Sequence, residues 1–296
     1  MIKRFYYSIL FSIFLLNLNL QAVVIETSSL DDVFKYADKN SIVVLDIDST
    51  LVEVEHGVEY WVEHKQEKLE KMGLQPEQAC DLVLYTFFII SRVAKLFPIN
   101  DSPKVVNKLQ KMGIRTMALT NRSLPIVKRT IKLLKDIGID FSKNALFKND
   151  LVLNISHKGM FYKGVIFSGK NDKGSMLKEF FKKINYTPKK LIFVDDKVKH
   201  VKSVEKKFDD GNVEYIGIRY SFMDEKKKNF DPIEAENGIR TFKIALGLEP
   251  IYSKPIAENN SLDKNINKKI ETGDNWAISL WNKITCPFKK AYKAYF

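Results

Sequence analysis

The chain has two cysteines among its 296 residues, Cys80 and Cys286. No Cys-x-x-Cys pair exists, so a structural zinc site is not expected. The two lie in distant segments, and no disulfide is expected between them even where an oxidising compartment would permit one. The four histidines, His56, His64, His157 and His200, show no metal-ligand spacing. There is no internal repeat, no helix-turn-helix or RNA-binding signature and no single dense basic block. The formal net charge is nevertheless +12. Its lysines are spread through the chain and read as a solvated surface, so nucleic acid is not an expected partner.

Long apolar runs are missing too, with one short exception at the start. Lys3 and Arg4 precede an apolar stretch from Phe5 to Leu16, followed by Asn17, Asn19, Gln21 and the small residue Ala22. This is the layout of a secretory signal peptide over residues 1–22. The run falls short of the about 20 residues of a transmembrane helix. No cysteine follows the expected cleavage point, which speaks against a lipid anchor. The expectation is an exported protein, periplasmic or secreted, with an uncleaved N-terminal anchor as the alternative.

What remains is a chain with 45% hydrophobic residues, enough for a sizeable core. Apolar runs at 42–46, 114–119 and 191–194 read as strands buried on both faces, and a fourth strand is expected near 213–218. Between them lie helical patterns with clear punctuation. Ser102-Pro103 reads as N-cap and first helical residue, with Gly113 as the stop. Ser123 and Pro125 open another helix, and Asp172 caps one that runs through Phe181. Residues 151–167 alternate around His157-Lys158-Gly159 as in a β-hairpin. Alternating strand and helix predict α/β, a doubly wound, Rossmann-like parallel sheet. Residues 251–275 turn polar and read as a linker. Residues 276–296 combine Trp276, Trp281, Phe288, Tyr292, Tyr295 and Phe296 with four lysines and no acid. That last segment packs on the sheet, touches a membrane surface or a partner, or is an exposed tail.

In such sheets the site lies beyond the carboxyl ends of the strands. One expected strand end carries Asp46 and Asp48, the next Thr120 and Asn121, the third Asp195 and Asp196. Lys173 stands at a helix start between the last two. Asp46-Ile47-Asp48-Ser49-Thr50, Met117-Ala118-Leu119-Thr120, Lys173 and Phe193-Val194-Asp195-Asp196 together resemble the four motifs of the haloacid dehalogenase-like (HAD) hydrolases. Gly164-Val165-Ile166-Phe167, Ile192-Phe193-Val194-Asp195-Asp196-Lys197 and Phe230-Asp231-Pro232 more narrowly resemble the uncharacterised secreted DUF2608 type, over residues 24–245. Ser49 departs from the glycine usual at its place, where the chain must bend sharply. Lys170 competes with Lys173 for the lysine role.

The resemblance implies a Mg²⁺-dependent phosphomonoesterase acting through an aspartyl-phosphate on Asp46. Asp48 is implied as general acid and base, Thr120 with Asn121 and Lys173 as phosphoryl binders. The implied metal group is Asp46, Asp195, Asp196 and the backbone carbonyl of Asp48, with Asp196 holding a metal-bound water or orienting Lys173. A phosphotransferase, a protein phosphatase and a non-catalytic binding protein stay open, as do small phosphorylated molecules and phosphoproteins as partners. The implied core spans residues 23–55 and 99–250. Residues 56–98, with Glu59, Tyr60, Trp61 and His64, are read as a small helical cap, and Trp61 as a core residue of that cap or a platform for substrate.

Overall fold

The computed structural model describes residues 22–209 and 211–246. The expected leader up to residue 21, the polar linker and the basic aromatic segment with Cys286 lie outside the described residues.

Four apolar runs become the middle of one sheet. They are β2 (Ser41–Leu45), β5 (Arg115–Thr120), β9 (Lys190–Asp195) and β10 (Glu214–Tyr220). Side chains alternate across a strand, and here both faces are buried. Ile42, Val44, Met117, Leu119, Leu191 and Phe193 enter one apolar cluster. Val43, Leu45, Ala118, Ile192 and Val194 enter the other. Continuous apolar runs, rather than alternating ones, follow directly from that double burial.

The sheet has eight strands in the order β1-β10-β9-β2-β5-β8-β7-β6. Its first six neighbours pair in parallel, including β1 (Val23–Thr27) and β8 (Val165–Phe167). The hairpin expected at 151–167 is present as β6 (Leu151–Asn154) and β7 (Lys158–Tyr162). It closes one edge and runs antiparallel to β8.

Helices cover both faces. One face carries α5 (Lys173–Lys183) and α6 (Val198–Phe208), which bury Met176, Leu177, Phe180, Val201 and Val204. The two helices approach closely at Gly174, where an added Cβ would stand 2.2 Å from the Ser203 carbonyl oxygen. The opposite face carries α3 (Ser102–Lys111) and α4 (Val127–Asp136), and α8 (Pro232–Ala245) joins the same apolar cluster against the helical insert. Asp172 caps α5 by accepting from the Ser175 amide at 2.8 Å, as expected. Ser102 does not cap α3: Asp101 occupies that place, and the Ser102 hydroxyl donates to the Leu51 carbonyl at 2.6 Å. The residue expected to start the helix thus ties it to the loop after β2.

The cap expected at 56–98 is a helical hairpin, α1 (Val58–Lys71) and α2 (Pro76–Ile90), between β2 and α3. The chain enters it through β3 (Val52–Val54) and leaves through β4 (Leu96–Pro98), which pair antiparallel. These two strands extend the insert into a short stem. Trp61 is 3% exposed and its Nε1 donates to Glu236 on α8, so it packs the cap on the core instead of offering a platform to substrate. One further helix, α7 (Asp224–Lys228), follows β10.

Candidate active site

Three neighbouring strands end together and bring the expected groups to one place. Asp46 follows β2, and its amide donates to the Val194 carbonyl at 2.8 Å. Leu45 pairs with both Val194 and Ala118, so Asp46 stands beside Asp195 and one residue short of Thr120. The chain then folds back, with Leu51 and Val52 both donating to the Ile47 carbonyl. Ser49 takes the left-handed conformation, φ 59°. The sharp bend is present, and serine holds it at a conformational cost of about 1–2 kcal/mol that glycine would avoid.

Asp46 is 6% exposed. Its Oδ1 accepts from its neighbour's amide, Ile47, at 2.7 Å and from Lys173 Nζ at 2.8 Å. Oδ2 accepts nothing from a described residue and is the oxygen open to an electrophile. Lys173 is buried and reaches Asp195 Oδ2 at 2.7 Å with the same ammonium. Lys170, its competitor in the sequence, instead lies 3.9 Å from Glu77 on the cap.

The two acids at the end of β9 have different partners from those expected. Asp195 is the one that orients Lys173, and its oxygens also meet the Lys197 amide at 2.8 Å and His200 Nδ1 at 3.1 Å. Asp196 is 8% exposed, lines the cavity and accepts no hydrogen bond from a described residue. Ligand atoms of Asp46, Asp195 and His200 lie within 4.8 Å of one another. Asp195 is already engaged by a lysine, an amide and an imidazole, whereas Asp196 is not. Asp46, Asp195 and His200 are thus the ligand groups that the fold brings together, and Asp196 lines the cavity beside them.

Asp48 is gripped by a residue absent from the expected set. Arg122 Nε donates to its Oδ2 at 2.9 Å and Nη2 to its Oδ1 at 2.7 Å. The Arg122 amide also donates to Thr120 Oγ1 at 3.1 Å. Thr120 and Asn121 line the same cavity, and Asn121 Oδ1 accepts from Ser168 at 2.8 Å. Arg122 directly follows Asn121 in the sequence, where nothing marks its pairing with Asp48. His200 had no spacing signal; the helix start at Val198 turns it back under the end of β9.

Electrostatics set the character of the place. Four carboxylates, Asp46, Asp48, Asp195 and Asp196, face two buried cations, Lys173 and Arg122. Burial pushes the Asp46 carboxyl well above its ordinary range, against the pull of Lys173 and with repulsion from the other three acids. Burial and the adjacent Asp195 push Asp196 up to about 6. Burial acts to raise Asp195 as well, but Lys173 and His200 outweigh it and hold it at about 2. Lys173 is raised, because Asp195 and Asp46 outweigh its own burial. Buried carboxyls that burial and mutual repulsion hold above their ordinary range, offering only oxygen, fit a hard divalent cation such as Mg²⁺.

The cap roofs a cavity of about 1280 Å³. Among the described residues, its wall from α1 and α2 includes Glu63, Gln66, Glu67, Glu70, Glu77 and Phe87, and no lysine or arginine. Glu63 reaches across to Lys197 and Lys227 on the core. Burial, followed by the charge on Asp48, pushes Glu59 at the cap's base well above its usual range.

Fold and site thus define an α/β protein with a mainly parallel sheet, an acidic centre at its carboxyl edge and an inserted helical cap. The chain belongs to the family described as "Protein of unknown function (DUF2608)", whose pattern matches residues 26–245. It is 26% identical to a "Putative outer membrane protein" of Chlamydia trachomatis over 189 residues, covering 63% of this chain and 71% of that one. A protein of Chlamydia pneumoniae with the same description is 22% identical over 72% of this chain and 82% of its own. An uncharacterised protein of Rickettsia felis is 24% identical over 56% of this chain and 63% of its own. Among solved structures, "Phospho-Aspartyl Intermediate Analogue of Phosphoserine phosphatase" matches with 16% identity and a TM-score of 0.34, covering 64% of this chain and 98% of that one. No helix among the described residues is long and apolar enough to cross a membrane.

Proposed function

We propose that the protein is an exported, Mg²⁺-dependent phosphohydrolase of the HAD type that forms an aspartyl-phosphate on Asp46. The observation that carries this reading is the buried Asp46 carboxylate, with one oxygen tied by Lys173 and the Ile47 amide and the other open to the cavity. Lys173 and Thr120 bind the phosphoryl oxygens in this reading, which their places on the cavity wall support. Asp46 Oδ2 bonds to phosphorus while the ester P–O bond breaks. Asp48 gives its proton to the departing oxygen, then takes one from the water that attacks the aspartyl-phosphate. That water releases inorganic phosphate and restores the Asp46 carboxylate. A Mg²⁺ held by Asp46, Asp195 and the Asp48 carbonyl, with Asp196 beside it, would supply charge neutralisation for the phosphate and keep the carboxyls ionised.

A phosphoprotein or another large substrate is favoured by one observation. Pockets for drug-sized ligands run to about 300–1000 Å³, and this cavity, at about 1280 Å³, is larger. The test of the main reading is p-nitrophenyl phosphate hydrolysis with Mg²⁺ and with EDTA, beside Asp46→Asn. Metal-dependent release, lost in the variant, is the expected result. A folded wild type that binds Mg²⁺ and releases nothing from aryl, alkyl or peptide phosphates would leave a binding protein in its place.

A further inference from the structure

We propose that Arg122 is the positioning residue for proton transfer, and that the cap holds it there through Phe87. The inference rests on the phosphohydrolase reading above and assigns a part to a residue outside that mechanism.

Asp48 lies on the bend after β2 with a side chain 25% exposed, so packing alone leaves it free to rotate. A proton donor must meet the leaving oxygen at about 2.6–3.2 Å, so a rotating carboxyl spends little time in a productive place. Arg122 removes that freedom. Its planar fork takes one bond to each Asp48 oxygen, at 2.9 and 2.7 Å, which fixes both the rotamer and the plane of the carboxyl. Each oxygen keeps a second lone pair, which can carry the proton given to the ester oxygen and later take one from the water.

The fork is itself held on three sides. Nη1 donates to Thr130 on α4 at 3.3 Å. The backbone amide donates to Thr120, the proposed phosphoryl binder. The ring of Phe87, on α2 of the cap, lies 5.7 Å from the guanidinium carbon. An arginine that served only to anchor α4 would need neither the bidentate grip on Asp48 nor contact with the cap. The arrangement makes the placement of the proton donor depend on the cap being seated over the site.

The leaving group reveals this role. p-Nitrophenolate departs without a proton, whereas an alkoxide needs one. The experiment compares kcat/KM of the Mg²⁺-loaded protein for p-nitrophenyl phosphate and for an alkyl phosphate, in wild type, Arg122→Lys and Phe87→Leu. Lysine keeps the charge and loses the fork. In Arg122→Lys, alkyl phosphate kcat/KM is expected to fall about 100-fold and p-nitrophenyl phosphate less than about 10-fold, given the usual size of acid–base catalysis. Phe87→Leu, which keeps an apolar side chain but removes the ring, should move the ratio the same way by less. Far-UV circular dichroism and Tm report folding. If Arg122→Lys does not fold, Phe87→Leu decides. Both rates falling together in a folded variant would overturn the inference and leave Arg122 as scaffolding. A wild type that hydrolyses neither ester would instead overturn the phosphohydrolase reading itself.

Discussion

At the scale of single residues, the centre combines groups that the fold keeps together against their own electrostatics. Asp196 shows this most simply. Its carboxyl sits at about 6 in the fold, against an ordinary value of 3.8. A carboxyl raised on folding costs stability once it ionises: the penalty is absent below about pH 4, grows as pH climbs to about 6 and is full above that. Asp196→Asn is therefore expected to stabilise the metal-free protein at pH 7.5 by roughly 1–3 kcal/mol, with the gain vanishing near pH 4. Urea titrations in EDTA at both pH values measure it, and an Asn variant less stable at pH 7.5 would refute it. The four strand-end acids, Thr120 and Lys173 were legible because each closes an apolar run or opens a helix. Two things were not. Which of Asp195 and Asp196 holds Lys173 depends on side-chain direction at the strand end, and neighbours in sequence point opposite ways there. Arg122 was hidden because its partner, Asp48, is 74 residues away in sequence.

At the scale of elements, strands buried on both faces were the easiest to read. β2, β5, β9 and β10 are continuous apolar runs, and the helices between them carry caps and glycine stops. β1 went unread because Val23 and Val24 are exposed at 44% and 36% on a sheet edge, so no buried run marks it. β3 and β4 have three residues each, too few for a period to show. Ser102 shows the limit of cap rules: serine before proline has a helix-starting composition, but its hydroxyl was recruited by Leu51. The packing of α5 on α6 supplies a prediction of its own. Gly174→Ala would drive a methyl group into the Ser203 carbonyl and shift the start of α5, which carries Lys173. A loss of about 1–3 kcal/mol is expected from such overpacking, read as a lower Tm, together with a fall in turnover. A Tm equal to wild type would show that the helices part at no cost.

At the scale of the whole molecule, the candidate groups lie at the carboxyl edge of the parallel sheet, and the helical insert lines the same cavity. Ligand linkage offers the global test. A cation that binds only the folded protein raises Tm by mass action, by about 2.7 kcal/mol at a hundred times its Kd. Mg²⁺ should raise the Tm of wild type, and Asp46→Asn and Asp196→Asn should each abolish that rise. A rise of equal size in all three would place the ion elsewhere. The paired stem of the insert has a further consequence. Glu55 donates its amide to the Lys95 carbonyl at 3.1 Å, and the Lys95 amide returns to the Glu55 carboxylate at 3.1 Å. The two ends of everything between them are thus already neighbours, and a short turn could join them without disturbing a strand of the large sheet. Residues 56–94 thus form a cassette closed at its base, and because Phe87 within it meets Arg122, exchanging the cassette would reset the grip on Asp48 together with the walls of the cavity.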